Sequence, residues 1–383
     1  MILKIFRPKN WKKLFIGVIA TGITSIAVVC FTLRMIPALS AQSEITAMAA
    51  AGFILPGGAA QALKGDVDTE HMVPNNLEDV SSVVSQIVSS QAGSGSSLSS
   101  AIPPASSLVS SQSPKKKWTG KPYPIQETQV TQGNTTWNNV VVKNSTQNHK
   151  VDIEKVLQER PDVTIKKDGT PQVLIYHTHS SESYMSEESD TYYSDMPTRS
   201  QKEEENVMSV GEVLAEKLRA AGIGVIHDKT YHDYPAYNGS YTRSAETIQK
   251  NLEKYPTIQV TIDVHRDAIS GANGERKKPT AVVNGKKAAQ VMILSGCDDD
   301  GTLGYPDWEY NLRLAMRVQQ ACEEYENNFI RPLTFSATKY NQNLTHGSML
   351  VEFGTEVNTL EEAKYSASLF GDALVSVLND LVE

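Results

Sequence analysis

Apolar positions along the second half of the chain follow two periods, and the two alternate. Val173-Leu174-Ile175-Tyr176 is a short apolar run of the kind that makes one buried parallel strand. Between residues 203 and 220, Val207, Val210, Val213, Leu214 and Leu218 fall at helical spacing, and Gly222 follows as a stop. Residues 223–226 read as a short strand. Residues 242–255 read as a helix with Ile248, Leu252 and Tyr255 on one side, ended by Pro256. A strand over 258–264 then runs into His265. Strands at 290–294, 333–335 and 349–353 follow, with a helix over 309–327 that turns Leu312, Met316 and Cys322 inward. A long closing helix over 360–381 carries Phe370, Leu374 and Leu378. This alternation predicts an α/β fold: a mostly parallel, twisted sheet with helices on both faces.

Upstream of residue 171 the pattern weakens. Residues 130–142 predict one or two strands around Thr135-Thr136-Trp137, and residues 152–157 a helical turn, so 119–170 reads as a small pre-domain. Residues 81–114 are rich in Ser, Gln, Gly and Pro and hold too little apolar surface to offset the entropy of ordering. They belong to a flexible extracytoplasmic tether over 34–118, closed by Lys115-Lys116-Lys117, which read as a solvated junction in preference to a contact for anionic wall polymer or lipid. Within it, residues 48–63 are apolar enough for a short helix or a partner-binding patch.

The first 33 residues have another character. Residues 14–33, LFIGVIATGITSIAVVCFTL, are 20 uncharged positions, long enough to span a bilayer. Lys4, Arg7, Lys9, Lys12 and Lys13 precede them, which places a cytoplasmic tail at 1–13 and the remainder outside, in a single-pass cell membrane protein. Ala38-Leu39-Ser40 offers a small-x-small site for signal peptidase, but the apolar stretch is longer than a signal core of about 7–15 residues.

Length leaves room for one core of about 200 residues plus appendages. With 383 residues and a net charge of −8, nothing points to nucleic-acid binding. Three cysteines, Cys30, Cys297 and Cys322, do not make a disulfide framework.

Chemistry collects where three of the expected strands end. The first runs into His177, His179 and Glu182, and strand alternation would turn both imidazoles the same way. Ligands in open parallel sheets bind outside the carboxyl ends of the strands, and two imidazoles with a carboxylate there suit a metal. The strand TIDVHRDA puts Asp263 and His265 on one face, with Arg266 and Asp267 beyond. The last strand carries Glu352 between Leu350, Val351 and Phe353, where an unpaired charge would be costly. A catalytic zinc site typically has three protein ligands and one open position. His179, His265 and an acidic residue supply the ligands in this reading and Glu352 the base. An ion pair between Glu352 and Arg266 is the structural alternative.

The stretches VLIYHTHSSESY, HDYPAYNGSYTRS, VTIDVHRDA and LVEFGTEVNTLEEA resemble the stage II sporulation protein P family of endospore-forming bacteria. More distantly they are similar to zinc-dependent N-acetylmuramoyl-L-alanine amidases. The likeness covers residues 171–383, the expected catalytic domain, and the anchor and tether fit it. It implies His179 and His265 as zinc (Zn2+) ligands and Glu352, in V-E-x-G with Asn358 six positions on, as the catalytic glutamate. The wider family takes its acidic ligand from the start of the first helix, here Glu203, Glu204 or Glu205, whereas Glu182 is the preferred choice in this chain. His177 is a further candidate ligand, and Arg266 and Asn358 are candidate substrate contacts.

The resemblance implies hydrolysis of the amide joining N-acetylmuramic acid to L-alanine of the peptidoglycan stem peptide, with cleavage of peptide cross-links as a second activity. It also implies a glycan-cleaving partner similar to stage II sporulation protein D during forespore engulfment. A catalytically inactive wall-binding or scaffold protein of the same fold is the alternative. A Cys297–His265 hydrolase lacks any mark of an activating pair, and Ser180 or Ser181 lacks a G-x-S-x-G turn. Asp298-Asp299-Asp300-Gly301 reads as a solvated turn rather than a calcium loop.

Overall fold

The structure is a computed structural model and describes residues 118–325 and 328–383. The expected cytoplasmic tail, transmembrane segment, tether (up to residue 117) and apolar stretch at 48–63 therefore lie outside the described residues. Among the described residues no helix is long and apolar enough to cross a membrane.

In chain order the strands are β1 (Pro122–Thr128), β2 (Thr135–Trp137), β3 (Val140–Asn144), β4 (Pro171–Tyr176), β5 (Thr191–Tyr193), β6 (Gly224–His227), β7 (Val260–Asp267), β8 (Arg276–Val283), β9 (Lys286–Ala289), β10 (Val291–Gly296), β11 (Leu333–Ser336) and β12 (Ser348–Thr355). The α-helices are α1 (Ile153–Gln158), α2 (Val207–Ala220), α3 (Ser240–Lys254), α4 (Trp308–Cys322) and α5 (Leu360–Asn379).

Among the described residues eight strands form the main sheet, in the order β2-β3-β11-β10-β12-β7-β4-β6. Five of its seven pairings are parallel: β3/β11, β10/β11, β7/β12, β4/β7 and β4/β6. The exceptions are the β2/β3 hairpin and β10, which runs against β12. A mostly parallel α/β sheet is thus what the chain adopts. Strands β2 and β3, from the 119–170 region, extend its edge beside β11.

Alternation along the strands sorts side chains by face. Val173, Ile175, Val260, Ile262, Val264, Ile293, Met349, Val351 and Phe353 join one large apolar core together with α2, α4 and α5. On the opposite face Leu174 and Tyr176 pack with Ile248 of α3. Among the described residues helices therefore lie on both faces, α2, α4 and α5 on one and α3 on the other, with Ile153 of α1 joining the larger core. Helix α5 begins where the sequence asks it to: Thr359 and Glu362 form a reciprocal capping box, each side chain taking the other's backbone N–H.

The structure adds a second sheet that the apolar pattern does not announce. Its order is β5-β1-β8-β9, and β8 and β9 are inserted between β7 and β10. Few of its positions are apolar and buried, so period-two hydrophobicity is faint there. The turn signal is clear in hindsight. Asn284-Gly285, both at positive φ (50° and 74°), join β8 to β9 as a two-residue hairpin.

Candidate active site

Strands β4, β7 and β12 run parallel through the middle of the main sheet, so their carboxyl ends open at one edge. Tyr176 pairs with Asp263, and Glu352 pairs with His265. The turn after β4, the end of β7 and the end of β12 are thus brought together, and with them His179, Glu182, His265 and Glu352.

Each side chain is held by local structure. Thr178 donates to both oxygens of Asp263, its amide at 2.8 Å and its hydroxyl at 2.6 Å, which fixes the turn carrying His179. The same Asp263 lies 2.9 Å from Nε2 of His265. Glu182 accepts the Arg266 amide at 3.2 Å and places Oε2 3.4 Å from Nδ1 of His265. The rings of His179 and His265 meet edge to face with centroids 5.3 Å apart. Glu352 is completely buried beside them, on the strand next to His265.

Glycine and asparagine in the V-E-x-G motif have a physical reason. The β12 register shifts between Glu352 and Thr355, and Gly354 sits there at φ +68°. A Cβ at Gly354 would lie 2.5 Å from Asn358 Oδ1. Asn358 takes the Thr355 amide at 2.9 Å and donates to Glu362 at 3.0 Å. The motif shifts the register just after Glu352 and turns the chain away after Thr355.

Burial and charge set the protonation of the cluster. Burial raises Glu352 well above the ordinary carboxylate range, and the charges of Asp267 and Glu182 add to it against the opposing effect of His265. His179 is lowered to about 3, chiefly by burial. For His265 burial acts downward, but Asp263 and Glu182 outweigh it and hold the imidazole well above its usual value. Glu182 is also subject to burial, yet His265 and Arg266 keep it well below the usual range.

Both oxygens of Glu352 and both ring nitrogens of His265 are buried without a hydrogen bond among the described residues; the Asp263 and Glu182 contacts to His265 lack hydrogen-bond geometry. The unpaired Glu352 oxygens suit a cation, whereas the carboxylates beside His265 favour its protonated form while no metal is bound. Two imidazoles and a carboxylate are donor types that zinc takes, although the ligand atoms of His179, Glu182 and His265 do not all lie within 4.8 Å of one another.

The other candidates stand elsewhere. Strand β4 ends at Tyr176, so the alternation that would align His177 with His179 is broken by the turn. His177 instead keeps to the α2 face, with Nδ1 3.0 Å from the Val264 carbonyl and Nε2 2.9 Å from Nε2 of His227. Gly211 of α2 leaves room for that pair, since a Cβ there would lie 2.7 Å from the His177 ring. Glu204 sits in an exposed 3-10 turn with Glu203 and Glu205, of which Glu203 pairs with Lys229 and Glu205 with Lys202. Arg266 donates to the Ser183, Asp267 and Thr198 carbonyls, and it makes no ion pair with Glu352 among the described residues. Cys297 lies beyond the far end of β10. It is five residues past Met292, the partner of Glu352, which at about 3.3 Å per residue is roughly 16 Å along the sheet.

Sequence reading left several neighbours without a role. Tyr237 stacks on His179 with centroids 4.5 Å apart and its hydroxyl 3.1 Å from Nε2. Arg199 lies over the Tyr237 ring, 4.7 Å from its centroid, and also meets Asp233 and Glu182. Tyr237 and Asp233 belong to HDYPAYNGSYTRS, a stretch whose aromatic density was the available signal.

Fold and site together define a mixed α/β protein with a buried histidine–carboxylate cluster at the carboxyl ends of its central strands. The family model described as Stage II sporulation protein P (SpoIIP) matches residues 78–375, and the chain belongs to that family. The curated stage II sporulation protein P of Bacillus subtilis (strain 168) is 28% identical over 211 residues, which cover 52% of this chain and 49% of that protein. The match thus spans about half the length of the curated relative. Among solved structures the chain is similar to the N-acetylmuramoyl-L-alanine amidase AmiC2 of Nostoc punctiforme, at 12% identity and a TM-score of 0.33 over 55% of this chain and 96% of that one. It is also similar to the N-acetylmuramoyl-L-alanine amidase from Clostridium difficile 630, at 16% identity and a TM-score of 0.34 over 56% of this chain and 97% of that one.

Proposed function

We propose that the chain is a peptidoglycan hydrolase that cleaves the amide between N-acetylmuramic acid and L-alanine of the stem peptide. One observation carries this reading: Glu352, fully buried and with neither oxygen hydrogen-bonded among the described residues, lies beside His265 at the mouth of the central strands. A buried carboxylate without a partner is costly to keep, and general-base work at a metal-assisted site accounts for it.

His179, Glu182 and His265 would hold the zinc. Bound there, zinc would supply a Lewis acid that polarises the amide carbonyl and lowers the pKa of water. Glu352 takes the proton from the attacking water and returns it to the departing amine of L-alanine. Its raised proton affinity suits the second half of that task. Asp263 orients His265 and, through Thr178, the His179 turn. Tyr237, over His179, keeps bulk water from the imidazole and positions it.

The same reading places the chain at the cell membrane, anchored through residues 14–33, with residues 34–118 as tether and 171–383 outside the cytoplasm. It assigns the activity to forespore engulfment, beside a glycan-cleaving partner similar to stage II sporulation protein D. Cleavage of peptide cross-links would use the same carboxylate on a second amide.

Digestion of purified peptidoglycan by the purified protein tests the bond. The reading expects new free amino groups on L-alanine and intact glycan strands. New amino groups only on cross-linking residues would make the chain an endopeptidase, and binding without any new amine would make it a wall-binding scaffold.

A further inference from the structure

A second cluster of metal-ligating side chains lies at the opposite end of the main sheet. His149, Cys297 and Asp299 each offer one ligand atom, and these atoms lie within 4.8 Å of one another. The three come from two segments far apart in sequence. His149 follows edge strand β3, and Cys297 and Asp299 follow β10. Because β10 runs against β12, this cluster is at the end of the sheet away from Glu352.

The donors are held in place. Asp299 accepts the Gln147 amide at 2.9 Å and the Asn148 amide at 3.0 Å, which draws the two segments together. The His149 ring packs on Trp308 with centroids 4.7 Å apart. Its Nε2 faces the Asp298 carbonyl at 3.2 Å and Asp299 Oδ1 at 4.0 Å. Cys297 is completely buried. One imidazole nitrogen, one sulfur and one carboxylate oxygen thus lie within 4.8 Å of one another, a spacing that a single cation can bridge.

The neighbouring aspartates do other work. Asp298 caps the Leu303 and Tyr305 amides at 3.0 Å each, and Asp300 takes the Thr302 amide and hydroxyl. The acidic run is therefore a turn built on backbone amides and not an oxygen cage for calcium. A mixed sulfur, nitrogen and oxygen donor set selects zinc-class ions over calcium or magnesium.

We propose that His149, Cys297 and Asp299 form a structural site for a zinc-class divalent cation, separate from the candidate active site, which ties the segment after β3 to the end of β10. Burial, with Asp299 and Asp298, pushes the Cys297 thiol up to about 12. Binding therefore displaces the thiol proton to solvent as the sulfur–metal bond forms.

Cobalt(II) substitution in the full chain tests this directly, because a thiolate ligand gives a near-ultraviolet sulfur-to-cobalt charge-transfer band. His179, Glu182 and His265 contain no sulfur and cannot give one, so the readout is independent of the proposed function. The band is expected in the metal-stripped protein after cobalt chloride is added. It should vanish in Cys297→Ser, persist in His265→Ala, and need about tenfold more cobalt or beyond in His149→Ala and Asp299→Ala, at least the cost of losing an outer-shell partner. Absence of the band at saturating cobalt, its survival in Cys297→Ser, or unchanged cobalt affinity in both His149→Ala and Asp299→Ala would overturn the proposal.

Discussion

The two faces of the main sheet use the same strands for different ends. On one, Val264, Val351 and Phe353 disappear into an apolar core under α2, α4 and α5. On the other, the alternate residues Asp263, His265 and Glu352 are just as buried, yet they are polar, and among the described residues His265 and Glu352 lack hydrogen-bond partners. The first face holds the fold together by removing apolar area from water. The second keeps groups whose burial costs stability, so their presence there points to chemistry. Adjacent positions on one strand should therefore respond to substitution in opposite ways.

Phe353→Ala, on the apolar face, should have the largest effect on stability. The side chain is fully buried and meets Phe370 edge to face at 5.5 Å. Its removal is expected to cost about 3–5 kcal/mol by denaturant titration. Gly211→Ala should follow. The added methyl gains helix propensity but meets the His177 and His227 rings at 2.7–2.9 Å. Overpacking against two rings pinned by hydrogen bonds should win, for a net loss of about 1–2 kcal/mol. Thr359→Ala removes the α5 capping box, and a loss of about 1 kcal/mol is expected.

The smallest effect concerns pH. Burial raises Glu212, but His227, Arg219 and Lys229 outweigh it and hold the carboxylate down to about 2, below its ordinary 4.5. A group depressed in the folded state stabilises above its unfolded value and loses that contribution as pH falls through the folded one. Glu212→Gln should therefore flatten the decline in melting temperature between about pH 4.5 and 2. An unchanged acid limb would remove Glu212 from that account.

The apolar face was readable in the sequence because buried strands and helices repeat apolar residues at fixed periods. Helices α2 to α5 and the central strands follow those periods to within a few residues at most ends. On the polar face, His179, His265 and Glu352 were legible because each interrupts or ends an apolar run. Side-chain direction was less legible. His177 and His179 look equivalent by alternation, but a turn at the end of β4 sends them to opposite faces. The small sheet was missed because it buries little, although Asn284-Gly285 marked its hairpin. Asp233, Arg199 and Tyr237 gather around the site through long-range contacts, with no local spacing to reveal them.

The central claim rests on Glu352, and Glu352→Gln tests it most directly, with peptidoglycan turnover and melting temperature measured on one preparation. The substitution keeps the shape and removes the basicity. Turnover should fall by about 100-fold or more, while the melting temperature holds or rises because a costly buried carboxylate is gone. Near-normal turnover, or a protein that unfolds as readily as Phe353→Ala, would contradict the division between a face that holds the fold and a face that does the chemistry.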